Sequence, residues 1–334
     1  MNRIKLFVIV LLACLGTDKL FAQQSNIFSQ YYYNLPAQNP AFTGMDPFLN
    51  VKFGFRQSWN DFANTNNSIF FSADAALGQN STEVLKHNVL RTSQQQKGAK
   101  KNSRRHHGMG GMVLSQKIGP YELTQLNLNY AYHLPLSSSW NLAMGTRVAY
   151  GAFKMDYSDL TVRDEASDAV YQSLVNAGAG QQQNILVDFG VTLYTDKFYM
   201  GVSSVNLTSA ELNSDALEEA TPESSYKANL GWNLSLSRNF DLLPSADITY
   251  NDLYGMNWQA TARLRYRELI YLGLSYEQDI RTSMLFGLSF DNTYYIHYSY
   301  DYFTNDLSDF NKGNHEFAVG ILLFNKYAAT PKFW

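Results

Sequence analysis

Cysteine is almost missing from the chain: one, Cys14, in 334 residues. It lies in the apolar run Leu6 to Leu15, behind Arg3 and Lys5 and ahead of Leu20-Phe21-Ala22. A basic start, a short apolar stretch and a closing alanine have the layout of a secretory signal peptide, with residues 1–22 removed after Ala22. The rival arrangement is a lipoprotein signal, with Leu11-Leu12-Ala13 ahead of Cys14. Cleavage after Ala22 takes the only thiol away, and this excludes disulfides, a cysteine nucleophile and a cysteine-ligated metal. Long apolar runs are the second absence. Leu6 to Leu15 falls well short of the roughly 20 residues that a spanning helix needs, and no longer run follows it. Helical membrane spans are therefore excluded. Charge excess is the third: 26 Lys and Arg against 29 Asp and Glu leave −3, which becomes −5 without the leader. Catalytic signatures are the fourth. The chain holds no G-x-S-x-G, no H-E-x-x-H and no P-loop, so no enzyme and no cofactor is expected.

Aromatic residues are abundant. Tyr, Phe and Trp make up 15 % of the chain, yet mean hydropathy is only −0.28. Export, many aromatics and no apolar run leave a secreted β-sandwich or an outer-membrane β-barrel. In a barrel the apolar residues are spread singly, because lipid-facing and lumen-facing positions alternate.

Period-2 alternation separates the two classes. Leu49, Val51, Phe53 and Phe55 alternate with Lys52, Gly54 and Arg56. Ile69, Phe71, Ala73 and Ala75 make a second run, and a weaker third spans about Met109 to Ser115. Further runs follow at 126–132, 142–150, 185–193, 198–202, 226–234, 240–250, 258–266, 270–276, 284–290, 294–302 and 318–324. That is fourteen strands, each about 9–12 residues long, enough for a tilted strand to cross the hydrocarbon layer. The links sharpen this reading. PLSSS (135–139), TDK (195–197), SRN (237–239), RE (267–268) and DN (291–292) are short and share one end, while 152–184, 208–224 and 303–314 are long and share the other. Short turns on one side and long loops on the other mark an outer-membrane barrel. The expected fold is all-β: a 14-stranded antiparallel transmembrane outer-membrane β-barrel over 48–326, with a non-strand segment at 23–47 and a tail at 327–334. Pro244 falls inside the ninth strand, and a bulge or a later strand start is expected there.

Four groups are candidate functional residues. The link at 78–107 breaks the short-turn rule and carries a net +6, with Lys97, Lys100, Lys101, Arg104 and Arg105 among its cations. It reads as a solvated insertion or as an electrostatic arm for an acidic periplasmic partner. Nucleic acid is not a partner for an exported chain. His106-His107 lacks the further ligands of a metal site. The long links are acidic, with Asp164, Glu165 and Asp168 in one and Glu211, Glu218 and Glu219 in another. They read as solvated surface or as contacts for an external partner, and no calcium-loop spacing is present. His133, His297 and His315 stand singly on strands, and Trp59, Trp140 and Trp258 near strand ends suit interfacial girdles facing the membrane lipids. The last group is QYYYNLPAQNPAFTG (30–44), whose Pro36 and Pro40 keep it out of ladder pairing. It is expected on the periplasmic side, folded into the barrel mouth as a partial plug or packed beneath it.

That opening resembles the start of the PorP/SprF family of outer-membrane proteins of type IX secretion. The matching residues are Phe28, Ser29, Gln30 and Tyr31, then Asn39, Pro40, Ala41 and Gly44, then Arg56 with Trp59. YAYHLPL (130–136), Tyr-Met-Gly-Val-Ser (199–203), LLPSADI (242–248) and His315-Glu316 extend the resemblance over the mature chain. It implies a barrel like those of hydrophobic-solute transporters. It also implies a role in exporting, or holding at the surface, large proteins with a type IX C-terminal domain, gliding adhesins included. The partners implied are the periplasmic ring or translocon, or the C-terminal domain of one adhesin. The basic link at 78–107 departs from the shorter one expected in the family. A lumen of fourteen strands is too narrow for a folded adhesin, which favours an anchor or accessory over a pore. A porin or apolar-solute channel of the same fold is the alternative.

Overall fold

A computed structural model describes residues 28–58, 66–78, 105–155, 168, 171–172, 180–214, 223–253, 255–291, 293–305, 313–325 and 333. Fourteen strands follow in chain order: β1 (Leu49–Ser58), β2 (Asn66–Leu77), β3 (His106–Ile118), β4 (Tyr121–Pro135), β5 (Asn141–Met155), β6 (Gly180–Tyr194) and β7 (Phe198–Ser214). Then come β8 (Ser225–Trp232, with a continuation Leu234–Ser235), β9 (Phe240–Asn251), β10 (Gly255–Tyr266), β11 (Ile270–Glu277), β12 (Arg281–Phe290), β13 (Tyr294–Phe303) and β14 (Asn314–Leu323). Each pairs antiparallel with its neighbours in sequence. The β1–β14 ladder, Leu49↔Leu323 to Gln57↔His315, closes the ring. The protein is a closed 14-stranded outer-membrane β-barrel, as the alternation and the links predict.

Burial is inverted relative to a water-soluble fold. Phe71, Leu128, Leu272, Leu274 and Met284 face outward, and the lumen holds Lys52, Arg56, Arg147, Arg263, Asp301 and Glu316 almost wholly buried. Closure of the ladder into a ring lets strands cross a membrane without helical spans, because backbone groups pair from strand to strand around it. Apart from the β2–β3 link, the connections at one end are all short; the other end mixes the long links with tight ones between β3 and β4, β9 and β10, and β11 and β12. Between β10 and β11, Arg267 and Glu268 both take positive φ, 50° and 57°, and Leu269 N donates to Tyr266 O at 3.0 Å. This is the mirror-image turn whose twist matches a hairpin, built here without glycine.

The strands run from 8 residues in β8 to 17 in β7, a wider range than the alternation suggests. Pro244 brings neither a bulge nor a late start. It stays in register with Ala262 on β10. On the other side the β8–β9 ladder runs from Asn251↔Ser225 to Ser245↔Gly231 and resumes at Leu242↔Leu234. Asn233, in the gap, donates its N–H to Lys197 O at 2.7 Å instead. Proline has no N–H to give, and the ladder skips that rung rather than shifting.

Candidate functional site

The N-terminal segment lies inside the ring. It forms a 3₁₀ turn (Tyr31–Asn34), one α-helical turn (Leu35–Gln38) and another 3₁₀ turn (Pro40–Phe42). Prolines 36 and 40 sit at the starts of the second and third turns, where the missing N–H costs nothing. Asn39 caps the last turn, its Oδ1 accepting from Ala41 N at 2.9 Å.

At the end bearing the long links, Ser29 is wholly buried. Its Oγ donates to the Asp301 carboxylate (2.7 and 2.8 Å) and accepts from Arg56 Nη1 at 2.8 Å. Its N–H donates to Glu316 Oε2 at 2.8 Å, and its carbonyl accepts from Gln259 Nε2 at 2.8 Å. Arg56 pairs with Asp301 at 2.5 Å and Glu316 at 3.1 Å, and Arg281 pairs with Glu277 at 2.8 Å. These charges come from β1, β11, β12, β13 and β14, so the ring has to close before they can meet.

The three tyrosines fill the middle. Tyr31 OH donates to Ser245 Oγ at 2.8 Å, and Tyr33 OH donates to Val319 O at 2.5 Å. Tyr32 OH donates to Gln30 Oε1 at 3.2 Å and shares a hydrogen bond with Tyr271 OH. Burial pushes the Tyr32 phenol up to about 12, although Arg263 over its ring pulls the other way. Burial raises Tyr31 and Tyr33 as well. Beyond the tyrosines, Arg147 Nη2 donates to the carbonyls of Pro36 and Ala37 (both 3.0 Å), and Lys227 Nζ donates to Gln38 Oε1 at 2.6 Å. Asn39 Nδ2 donates to Val202 O on β7 at 3.2 Å.

At the short-turn end, the carbonyls of Thr43 and Gly44 accept from His133 Nε2 (2.8 Å) and His106 Nε2 (3.1 Å). The two imidazoles stack with centroids 4.2 Å apart. Here the segment presses on bare backbone. A Cβ at Gly108 would stand 1.9 Å from Thr43 O, and one at Gly145 would stand 2.5 Å from Ala41 N. Gly44 adopts φ +70° against Gly108, a conformation that favours glycine.

The structure therefore brings Phe28, Ser29, Gln30, Tyr31, Asn39, Pro40, Ala41 and Gly44 together in the lumen. The segment is not confined to one mouth. It runs the length of the lumen, because buried charges at the far end supply partners for Ser29. His106 and His107 belong to β3, not to the basic link, and His106 is spent on Gly44 and on the stack. Of that link's cations Arg105 is described, and it is exposed; Lys97, Lys100, Lys101 and Arg104 lie outside the described residues. Glu211 is an exposed residue of β7 paired with Asn184, not a loop residue, because β6 and β7 outrun their apolar cores. Asp168 is exposed, and its carboxylate accepts from Tyr171 N at 2.9 Å. Asp164, Glu165, Glu218, Glu219 and Trp59 lie outside the described residues, as do the leader and residues 23–27.

Sequence reasoning missed Arg147, Arg263 and Phe333. The two arginines alternate with apolar neighbours and were legible as inward-facing, but nothing local marked their partners. Phe333, in the tail, packs edge-to-face on Tyr199 with centroids 4.7 Å apart.

A family model described as "Type IX secretion system membrane protein PorP/SprF" matches residues 20–321. No curated protein matches by sequence. Among solved structures, the toluene transporter TbuX of Ralstonia pickettii is similar at TM-score 0.47 and 9 % identity, over 90 % of this chain and 93 % of that one. The Pseudomonas putida toluene transporter TodX gives 0.46 and 10 %, over 90 % and 98 %. A Pseudomonas aeruginosa FadL homologue gives 0.48 and 9 %, over 90 % and 94 %.

Proposed function

The chain belongs to the PorP/SprF family of type IX secretion system membrane proteins, and from that premise we propose that it serves as an accessory or anchor rather than as a passage. In this reading it is needed for secretion or surface attachment of one large cognate protein, such as a gliding adhesin, held through that protein's C-terminal domain. The observation that supports this is the occupied lumen. Ser29 at one end and Gly44 at the other are tied to the wall by charge-assisted hydrogen bonds and imidazole contacts, and the tyrosines between them are buried. A conduit of this width, already too narrow for a folded adhesin, would first have to expel that segment.

The short-turn end then faces the periplasm and the long links face outward, where the cognate C-terminal domain docks. The ends of β2 and β3 that carry the basic link then face the periplasm, and in this reading the link serves the secretion machinery. Deleting the gene tests the reading: one surface protein is lost from the cell envelope while uptake of small apolar solutes is unchanged. Unchanged surface proteins with impaired uptake would instead support the channel alternative. Photo-crosslinking from Asp168 and Glu211 should capture the lost surface protein, and silence at both sites would count against docking on that face.

A further inference from the structure

The N-terminal segment is held unequally on its two sides. Toward β9, β13 and β14 it meets the wall directly. Ser29 Oγ, Tyr31 OH and Tyr33 OH donate to Asp301, Ser245 and Val319 O over 2.5–2.8 Å. Toward β2 to β5 the direct bonds are longer. Asn34 Nδ2 donates to Ser72 Oγ at 3.2 Å and to Met112 Sδ at 3.5 Å, and Asn129 Nδ2 donates to Pro36 O at 3.4 Å. Between segment and wall on this side lies a cavity of about 10 Å³, lined by Asn34, Pro36, Ser72, Asn127, Asn129 and Arg147 among others.

Polar groups with nothing to bond face this space. Asn127, on β4, is 1 % exposed, yet neither its Oδ1 nor its Nδ2 has a hydrogen-bond partner among the described residues. The same holds for Asn129 Oδ1 and Arg147 Nε. Burying such groups unpaired is costly, so a ligand that pairs them is favoured. Their chemistry narrows what that ligand is. The charges beside the cavity are already matched, Arg147 by Asp188 at 3.3 Å and Asp74 by Lys52 at 3.2 Å. An ion of either sign would therefore stand unbalanced. The idle groups are two donors and two acceptors, so the ligand has to donate as well as accept. The space is about that of a single water, which can make two to four such bonds.

We propose that this cavity is a binding site for one ordered water, held by Asn127, Asn129 and Arg147, and that this water completes the seat of the segment against β2 to β5. The segment is then fixed by direct bonds on one side and through water on the other. The site is defined by the lumen alone and does not rest on the secretion reading.

A crystal structure of the intact barrel, at a resolution that orders other buried waters, should show density within hydrogen-bond reach of the Asn127 amide. An empty cavity at that resolution would overturn the proposal. Two variants read the same site through the segment. Asn127→Leu keeps the volume and removes both amide groups, and Asn127→Ser keeps a hydroxyl and leaves room for further water. With water in the site, limited proteolysis between residues 28 and 48 should be at least tenfold faster in Asn127→Leu than in the parent, with Asn127→Ser between them. If the site is dry, the apolar side chain relieves an unpaired amide and the order reverses, with Asn127→Leu the best protected; that order would contradict the proposal. Should Asn127→Leu fail to fold, the crystal density and Asn127→Ser still decide, since cutting of Asn127→Ser no faster than the parent's in a cavity without density sinks the idea.

Discussion

At the scale of single residues, Ser29 and Arg56 show how the lumen is organised. The hydroxyl bridges a carboxylate and a guanidinium, and its backbone N–H and carbonyl are both taken by the wall. Arg56→Met leaves Asp301 and Glu316 close together with one cation fewer. Breaking a buried pair from one side costs about 3–5 kcal/mol. Unfolding of the detergent-solubilised barrel should shift by that amount, and Arg56→Met with Asp301→Asn should recover part of it. The tyrosines make a second prediction. Tyr32, held at about 12, ionises near 10 once unfolded. Its folded pKa is the higher one, so its contribution is complete below pH 10 and is lost as pH rises towards 12. Ultraviolet titration of phenolate absorbance should show the segment tyrosines silent at pH 10–11 and appearing together with unfolding. Free titration near pH 10 in the folded barrel would contradict their burial. Ser29 and Arg56 were visible in the sequence as neighbours of a recognisable opening. Their contact was not, because Asp301 and Glu316 reach Ser29 only through closure of the ring.

Elements were the most legible level. A strand facing lipid on one side and a packed lumen on the other has to alternate, so its position follows from counting. Strand thirteen is the plainest case: Ile296 and Tyr302 point out while His297, Ser299 and Asp301 are buried. The errors fall where alternation has no hydrophobic force behind it. The distal parts of β6 and β7, including Glu211, pair in a polar stretch and read as loop. The ladder gap at Asn233 depends on a proline in the neighbouring strand, which no local pattern displays. The N-terminal segment is a different kind of element, with no period to read and a fit made by what the wall lacks. Gly145→Val tests that fit, because its side chain would occupy the place of Ala41. The barrel should still fold, while limited proteolysis should cut between residues 28 and 48, a region protected in the parent. Continued protection would mean that the segment is seated by its hydrogen bonds alone.

At the scale of the whole molecule, the chain folds inside out, with an apolar band toward lipid and a core of ions, amides and phenols. Fold class and strand number follow from composition and spacing, because the bilayer imposes the same requirement on every strand; the link asymmetry is only partial, since β3–β4, β9–β10 and β11–β12 turn tightly at the end that bears the long links. The extent of the plug does not follow, since it depends on contacts made all around a ring that exists only once closed. The accessory reading rests on the seal, and the most direct test of the seal is conductance in a planar lipid bilayer. The intact protein should be silent. A variant lacking residues 24–45, shown to be folded by its heat-dependent gel mobility, should give discrete conductance steps. Steady steps of the same size from the intact protein would show that the lumen is open and would contradict the account.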